Sequence, residues 1–445
     1  MSNETIKQPP SQGNSNPKAD LFVCHVFPRC STAGQPFPFA RIGTGLQVGR
    51  EPVAKASFTL DEGTVSRVHF RLEPCSQGWQ VIDQQSANGL YVNGKRVTKE
   101  FVRAHDIIRA GNALMVLATV QPVALEWART YGIVACSGRV SQLLEIVRQT
   151  LDSSENVLIV GETGTGKELI ANLIHEASSR TGPFLQINCG AIPDQLMEIT
   201  LFGSAKGAFT GSDEDRNGLL VEAEGGTFLL DEIGELPGRM QVKLLRALED
   251  RSFIPVGATR PVQFSVKVLA ATNRTEVLSD ELSDFRQDLL ARFEDIVLYV
   301  PPLRVRKEEI VELVSWSLEP EPEEIVTRMM TAEFIESLLL HSWPRNTRQL
   351  IKTVKAALRY VRNNDGPMLA LAGLENCNLV IPTGNGLRGI EIEQAIKRRR
   401  RTAMPSREDL ERQYHLLGQN VSALARFFDC DRKQIYRWLQ LYGLR

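Results

Sequence analysis

Short apolar runs bounded by glycine recur along the chain, and their periodicity predicts two kinds of sheet. Val157-Leu158-Ile159-Val160 is a continuous β-branched run, the pattern of a strand in a parallel sheet covered on both faces, and a helical pattern follows it. Phe228-Leu229-Leu230 is a second such run and ends in two carboxylates, Asp231 and Glu232. Over residues 21–120 the pattern instead alternates in short stretches such as Trp79-Gln80-Val81-Ile82-Asp83 and Leu90-Tyr91-Val92. Turn formers break these stretches at regular spacing, and Asn93-Gly94 is a hairpin signal, so an all-β sandwich is expected there. Over residues 405–445 three amphipathic stripes predict three short helices. Leu410, Tyr414 and Leu417 mark the first, Val421, Leu424, Ala425 and Phe428 the second, and Ile435, Trp438, Leu439 and Tyr442 the third. Residues 1–20 read as a disordered tail, and residues 121–133 and 377–404 as linkers.

Length and composition allow this division, because 445 residues at 42% hydrophobic suffice for about three units with their own cores. No apolar run reaches the ~18 residues needed to span a bilayer, and Met1 to Asp20 lacks a signal-peptide core, which predicts a cytoplasmic protein. Seven cysteines without a Cys-x-x-Cys pair fit a reducing compartment and argue against a structural zinc site. The overall balance of 52 basic and 53 acidic residues hides a local excess. Lys397 to Arg445 holds twelve Lys/Arg against five Asp/Glu, a balance of +7 that implies a polyanionic partner.

The turn Gly161-Glu162-Thr163-Gly164-Thr165-Gly166-Lys167 follows the first apolar run. Its glycines let backbone N–H groups converge on phosphate oxygens, Lys167 adds a point charge, and the helix starting near Glu168 turns its positive end to the anion. Glu168 occupies the place where a Ser or Thr metal ligand is usual, so Mg²⁺ would lean on Asp231 and water. Asp231 is the candidate metal ligand and Glu232 the candidate polariser of an attacking water. Between these two halves lies the glycine-flanked loop Gly207-Ala208-Phe209-Thr210-Gly211-Ser212, with one aromatic at its tip.

Together these motifs make residues 134–376 resemble the AAA+ ATPase domain of bacterial enhancer-binding proteins, the activators of sigma-54 RNA polymerase. The resemblance rests on Gly161 to Glu168 as the Walker A turn and on Gly225-Gly226-Thr227-Phe228-Leu229-Leu230-Asp231-Glu232-Ile233-Gly234-Glu235-Leu236-Pro237 as Walker B. It implies an α/β P-loop fold with a small helical lid. It also implies that Asn188 switches the catalytic glutamate and that Asn273 in Ala271-Thr272-Asn273 is a polar sensor. Arg286 and Arg292 would be fingers reaching a neighbour's ATP, and Arg348 in Trp343-Pro344-Arg345-Asn346-Thr347-Arg348 the second sensor. Fingers supplied in trans imply a hexameric or heptameric ring, and Gly207 to Gly211 would touch the sigma factor and promoter DNA. Ser212 departs from the Ala usual in the family, but Phe209 and Thr210 are intact.

Two flanking resemblances complete the reading. Gly49-Arg50, Ser66-Arg67-Val68-His69 and Asn88-Gly89 look like the loops of a forkhead-associated domain, a family that binds phosphothreonine peptides. Arg50, Ser66 and Arg67 suit the about −1.5 to −2 charges of that group, and Asn88 would hold the peptide backbone. His69 is expected to brace the loop from inside, and Ala87 departs from a position that is often polar. The C-terminal stripes resemble a Fis-type helix-turn-helix, in which Arg432, Lys433 and Gln434 would read bases and Arg437 would meet phosphate. The expected whole is an ATP-driven, sigma-54-dependent activator controlled by a phosphothreonine protein or a Ser/Thr kinase. The alternative is a phosphopeptide-binding AAA+ remodeller of a complex unrelated to transcription.

Overall fold

The computed structural model describes residues 21–28, 37–123, 125–208, 214–274 and 285–362, together with 407, 410–411, 414, 421, 424 and 432–442 of the C-terminal segment. Phe209, Thr210, Gly211 and Ser212, the tail 1–20 and the linker 377–404 lie outside these residues, as do the side chains of Arg432, Lys433 and Gln434.

The N-terminal strands form a sandwich. One sheet has six strands in the order Phe39–Arg41, Phe22–Phe27, Ala113–Ala118, Ile107–Ala110, Leu90–Val92, Lys95–Val97. The other has five, in the order Ser57–Thr59, Leu46–Gly49, Phe70–Cys75, Gly78–Asp83, Lys99–Val102. The Asn93-Gly94 turn joins two antiparallel strands with φ of 49° and 78°, the pair of positive values that a two-residue hairpin turn of matching twist requires.

The strand Ala113–Ala118 explains how the sandwich is seated. All six of its residues are buried. Ala113, Met115 and Leu117 face the sandwich core, whereas Leu114, Val116 and Ala118 join a second core made with the helical lid. The same alternation divides Val23 from Cys24 and Val26, and Ile108 from Ile107. A lid helix, Ala332–Leu340, lies against this strand and supplies buried Glu336 to Arg109 at 3.1 Å, while Arg109 also stacks 4.0 Å over the Tyr91 ring.

The central domain is a five-stranded parallel sheet in the order Phe184–Asn188, Thr227–Asp231, Lys267–Thr272, Val157–Val160, Ile296–Tyr299. Leu158, Phe228, Leu230, Val268 and Ala270 face one layer that includes the helix Gly238–Asp250. Val157, Ile159, Leu229, Leu269 and Ala271 face the helices Gly138–Thr150 and Lys167–Glu176 on the other side. The lid comprises Ile310–Leu318, Glu323–Met329, Ala332–Leu340 and Asn346–Arg362. Residues 121–133 are not merely a linker: Glu126–Arg129 forms a helical turn with Ala128 fully buried in the central core, because Trp127 and Tyr131 flank it with apolar rings. At the C-terminus Leu410, Tyr414, Val421, Leu424, Ile435, Trp438 and Leu439 share one core with the helix Arg432–Leu441. No helix among the described residues is long and apolar enough to cross a membrane.

Glu308 sits buried near the sandwich–lid seam, and its Oε2 has no hydrogen-bond partner. Burial pushes its carboxyl up to about 8, from an ordinary 4.5. The folded chain therefore holds a proton that the unfolded chain releases at its ordinary value. The stability from this proton is full below that value and is lost as pH rises through about 8. Thermal midpoints measured against pH should fall over this window in the native chain, and Glu308→Gln should flatten the fall; the same slope in both proteins would contradict the assignment.

Candidate functional site

The phosphate turn joins the carboxyl end of the strand Val157–Val160 to the helix Lys167–Glu176, where a parallel sheet opens its ligand crevice. Gly164 and Gly166 have φ of 79° and 105°, and a Cβ on Gly164 would stand 2.3 Å from the Arg345 carbonyl oxygen. Both the conformation and the space exclude a side chain there. Thr165 closes the turn on the Glu162 carbonyl through its hydroxyl at 2.8 Å. Lys167 donates to the Gly161 carbonyl at 2.8 Å, which holds its ammonium across the turn. Burial lowers the Lys167 pKa, and the nearby charges of Asp231 and Glu232 oppose that shift.

Asp231 ends the strand Thr227–Asp231, one strand beyond Lys267–Thr272, and accepts the Glu232 N–H at 3.0 Å. Glu232 takes a φ of 53°, a left-handed value uncommon for a side chain of this kind. Asn188 lies beside Asp231 in strand register and accepts the Gly190 N–H at 3.0 Å. The Glu232 carboxylate is also near Gly190, so Asn188, Gly190 and Glu232 meet at one corner of the site. Asn273 donates to the Thr163 hydroxyl at 3.1 Å from the adjoining strand end. Glu168 is bonded to Gln186 at 3.0 Å. A cavity of about 390 Å³ is lined by the polar residues Lys167, Asp231, Glu232 and Arg348 and by the apolar residues Ile133, Val134, Leu313, Trp316 and Ile351. That mixed lining suits a nucleotide, whose phosphates need the former and whose base needs the latter.

Sequence reasoning missed the residues that hold this turn from outside. Arg304 forks onto both oxygens of Glu162 at 2.7 and 2.5 Å, and Asn346 donates to Glu162 and to the Thr163 carbonyl, each at 3.1 Å. The Arg304 bonds, with Asn346 helping, hold the Glu162 carboxyl below its ordinary range. Asn346 also accepts the Leu303 N–H at 2.8 Å. The pairing of Arg304 with Glu162 joins residues far apart in the chain, so local patterns carry no signal for it.

Arg286 and Arg292 are not in the cavity. Arg286 forms a two-pronged pair with Asp288 at 3.0 and 2.6 Å, and Arg292 pairs with Glu249. The base of the glycine-flanked loop is tied down: Ser204 bridges to Arg216 and to Val256, and Lys206 N–H donates to Asp215 at 2.7 Å. Gly207 has a φ of 78°, and Ala208 lies so close to Gly257 that a Cβ there would be 2.7 Å from its own. A second loop, 254–261, therefore closes on the first, a contact signalled in sequence only by Gly257.

In the sandwich, Arg50, Arg67 and Asn88 are exposed on neighbouring loops. Arg50 and Glu51 N–H groups bond to the Ser66 and Arg67 carbonyls at 3.0 and 2.9 Å, and Gly49 admits no Cβ because the Arg67 carbonyl would lie 2.2 Å from it. Ser66 accepts the Ala87 N–H at 3.0 Å, and Asn88 donates to the Thr64 carbonyl at 2.6 Å. His69 is fully buried, accepts the Ser66 N–H at 3.1 Å through Nδ1 and donates through Nε2 to the Gly89 carbonyl at 3.1 Å, bracing two loops at once. Burial lowers its pKa, in keeping with that neutral tautomer. Arg437 is exposed on the last helix.

Comparison with known proteins agrees with these geometries. The Sigma-54 interaction domain matches residues 133–299 and the FHA domain matches residues 46–111. The transcriptional regulatory protein GlrR of Escherichia coli is 40% identical over 258 residues, 56% of this chain and 57% of the relative. The response regulator protein FleR of Pseudomonas aeruginosa is 42% identical over 230 residues, 51% of this chain and 49% of the relative. The chain thus spans about half the length of the curated relatives it matches. Among solved structures, NtrX from Brucella abortus in complex with ADP is 32% identical with a TM-score of 0.50, covering 71% of this chain and 70% of that one. The chain belongs to the family of sigma-54-dependent transcriptional regulators, with a sigma-54 interaction domain at its centre and an FHA domain ahead of it.

Proposed function

We propose that this chain binds DNA upstream of promoters, hydrolyses ATP in a hexameric or heptameric cytoplasmic ring, and remodels sigma-54 RNA polymerase under phosphothreonine control. The observation that carries the reading is the position of the loop base. Residues 204–216 lie in the chain between the strand of Asn188 and the strand of Asp231, and Ser204 and Ala205 at the loop's first root are bonded to Val256. A change at the outer phosphate felt by Glu232 and Asn188 reaches both roots of the loop through these elements.

The residues fit the chemistry. Gly161 to Lys167 would wrap the phosphates, Glu232 would orient the attacking water, and Asn273 and Arg348 would sense the γ-phosphate. Mg²⁺, held by Asp231 and phosphate oxygens, would neutralise charge on the leaving phosphates. A single carboxylate ligand, Asp231 beside the phosphate turn, suits a Mg²⁺ that keeps waters and takes the rest of its ligands from phosphate oxygens. Arg286 and Arg292 would exchange Asp288 and Glu249 for a neighbour's phosphates when the ring closes, since both pairs are about half exposed and weakly held. Arg432, Lys433, Gln434 and Arg437 would engage DNA.

The phosphothreonine loops carry Arg50, Ser66, Arg67 and Asn88, and belong to a different part of the sandwich from the strand face seated on the lid. A phosphopeptide can therefore bind without displacing the sandwich, which favours positive control. The remodeller alternative hydrolyses ATP but forms no open complex at a sigma-54 promoter.

Lys167→Ala should weaken ATP binding by roughly a hundredfold; equilibrium titration showing native affinity would refute the cradle. Phe209→Ala should retain ATP turnover and lose open-complex formation, and normal transcription from that variant would remove the loop from the mechanism. Arg50→Ala should weaken a phosphothreonine peptide by about tenfold or more while leaving its unphosphorylated form unaffected; calorimetry finding equal affinity for native and variant chains would place recognition elsewhere.

A further inference from the structure

The strip from Leu303 to Glu309 links the parallel sheet to the lid, and its charged side chains turn to different neighbours. Arg306 is 6% exposed and divides its guanidinium: Nη2 donates to the Thr165 carbonyl at 2.9 Å, and Nη1 donates to Glu309 Oε2 at 2.9 Å. Glu309 is fully buried, and its other oxygen accepts the backbone N–H groups of Ser137 at 3.0 Å and Cys136 at 3.4 Å. Ser137 in turn caps the helix Gly138–Thr150 through its hydroxyl. One unbroken series of hydrogen bonds thus runs from the middle of the phosphate turn to the start of a core helix.

Burying such a pair carries a desolvation cost that good geometry and further hydrogen bonds offset; Glu309 has those bonds on both oxygens, and Arg306 has them on both Nη atoms while its Nε is left without one. The geometric consequence follows from the planarity of the peptide unit. In a trans peptide the C=O and the following N–H point in opposite directions. Holding the Thr165 carbonyl on Arg306 therefore turns the Gly166 N–H away from Arg306. Gly166, with a φ of 105°, cannot set this plane by side-chain sterics, so the orientation must come from a partner. Lysine at 306 would lose the planar fork that sends Nη1 and Nη2 to the two acceptors in fixed directions.

We propose that Arg306 and Glu309 are a positioning pair for the nucleotide, fixing the Thr165–Gly166 peptide so that its N–H meets the β-phosphate. Arg306 also lines the cavity, but its two guanidinium Nη atoms are spent on the Thr165 carbonyl and Glu309, so its role here is to position the turn. This rests on reading the cavity as the ATP site, and the test separates the two. MgATP and MgADP are titrated into the full native chain, Arg306→Lys and Glu309→Gln, with steady-state ATP turnover and thermal unfolding measured alongside. Because the β-phosphate is common to both nucleotides, Arg306→Lys should weaken ATP and ADP by the same factor, about tenfold, and raise KM with little change in kcat. Glu309→Gln, nearly isosteric, should shift both affinities in the same sense by a smaller factor, and it carries the test should Arg306→Lys not fold. Native affinity for both nucleotides in a folded variant, even one with a lowered unfolding midpoint, would reduce the pair to structural support and overturn the proposal. Loss confined to ATP, or to kcat, would also overturn it by moving the effect to the γ-phosphate. Failure of the native chain to bind either nucleotide would instead overturn the reading of the cavity.

Discussion

A glycine-rich turn can aim its N–H groups at an anion only if something outside the turn holds it still. In this chain that restraint is the carboxylate of Glu162, gripped by Arg304 and Asn346 at 2.5 to 3.1 Å. Glycines at 161, 164 and 166 give the turn the close approach it needs and also remove the side chains that would have stiffened it. The stiffness is supplied from the strip before the lid and from the first residue of the lid's last helix. Phosphate turn and lid are therefore one mechanical unit, and whatever displaces one is felt by the other.

The sandwich extends that unit. Its six-stranded sheet shares a core with the lid, so Leu114 and Val116 pack in one cluster with Phe334, Leu338 and Trp343. The charges of Arg109 and Glu336 meet across this seam at 3.1 Å. Burial pushes the Glu336 carboxyl up to about 7, and the charge of Arg109 opposes that shift. An apolar seam crossed by an ion pair suits a contact that is specific in orientation. Under the proposed function, a phosphopeptide on the far loops would act on a body already joined to the nucleotide site.

Much of this was legible in the chain. Val157–Val160 and the strand ending at Asp231 follow from continuous apolar runs, the Asn93-Gly94 turn from its dipeptide, and the terminal three-stripe core from helical spacing. What periodicity could not reveal depends on distant partners. Ala113–Ala118 is buried on both faces only because the lid covers one of them. Lys267 stands in an apolar strand yet is buried, donating to the carbonyls of Thr150, the last residue of the helix Gly138–Thr150, and of Ser153 just after it, at 2.8 and 2.7 Å. The helical turn inside the expected linker exists because Ala128 finds a core to enter. Left-handed φ values at Glu232, Trp343 and Asn346 are imposed by tertiary contacts and leave no local signature.

The central coupling we propose is phosphate-dependent delivery of the loop at residues 207–213 to the polymerase. A photoreactive residue in place of Phe209 allows its contact with sigma-54 to be captured with no nucleotide, with ADP, and with a transition-state analogue of ATP. Crosslinking confined to the transition-state analogue is the predicted result. Equal yields in all three states, or none in any, would contradict it.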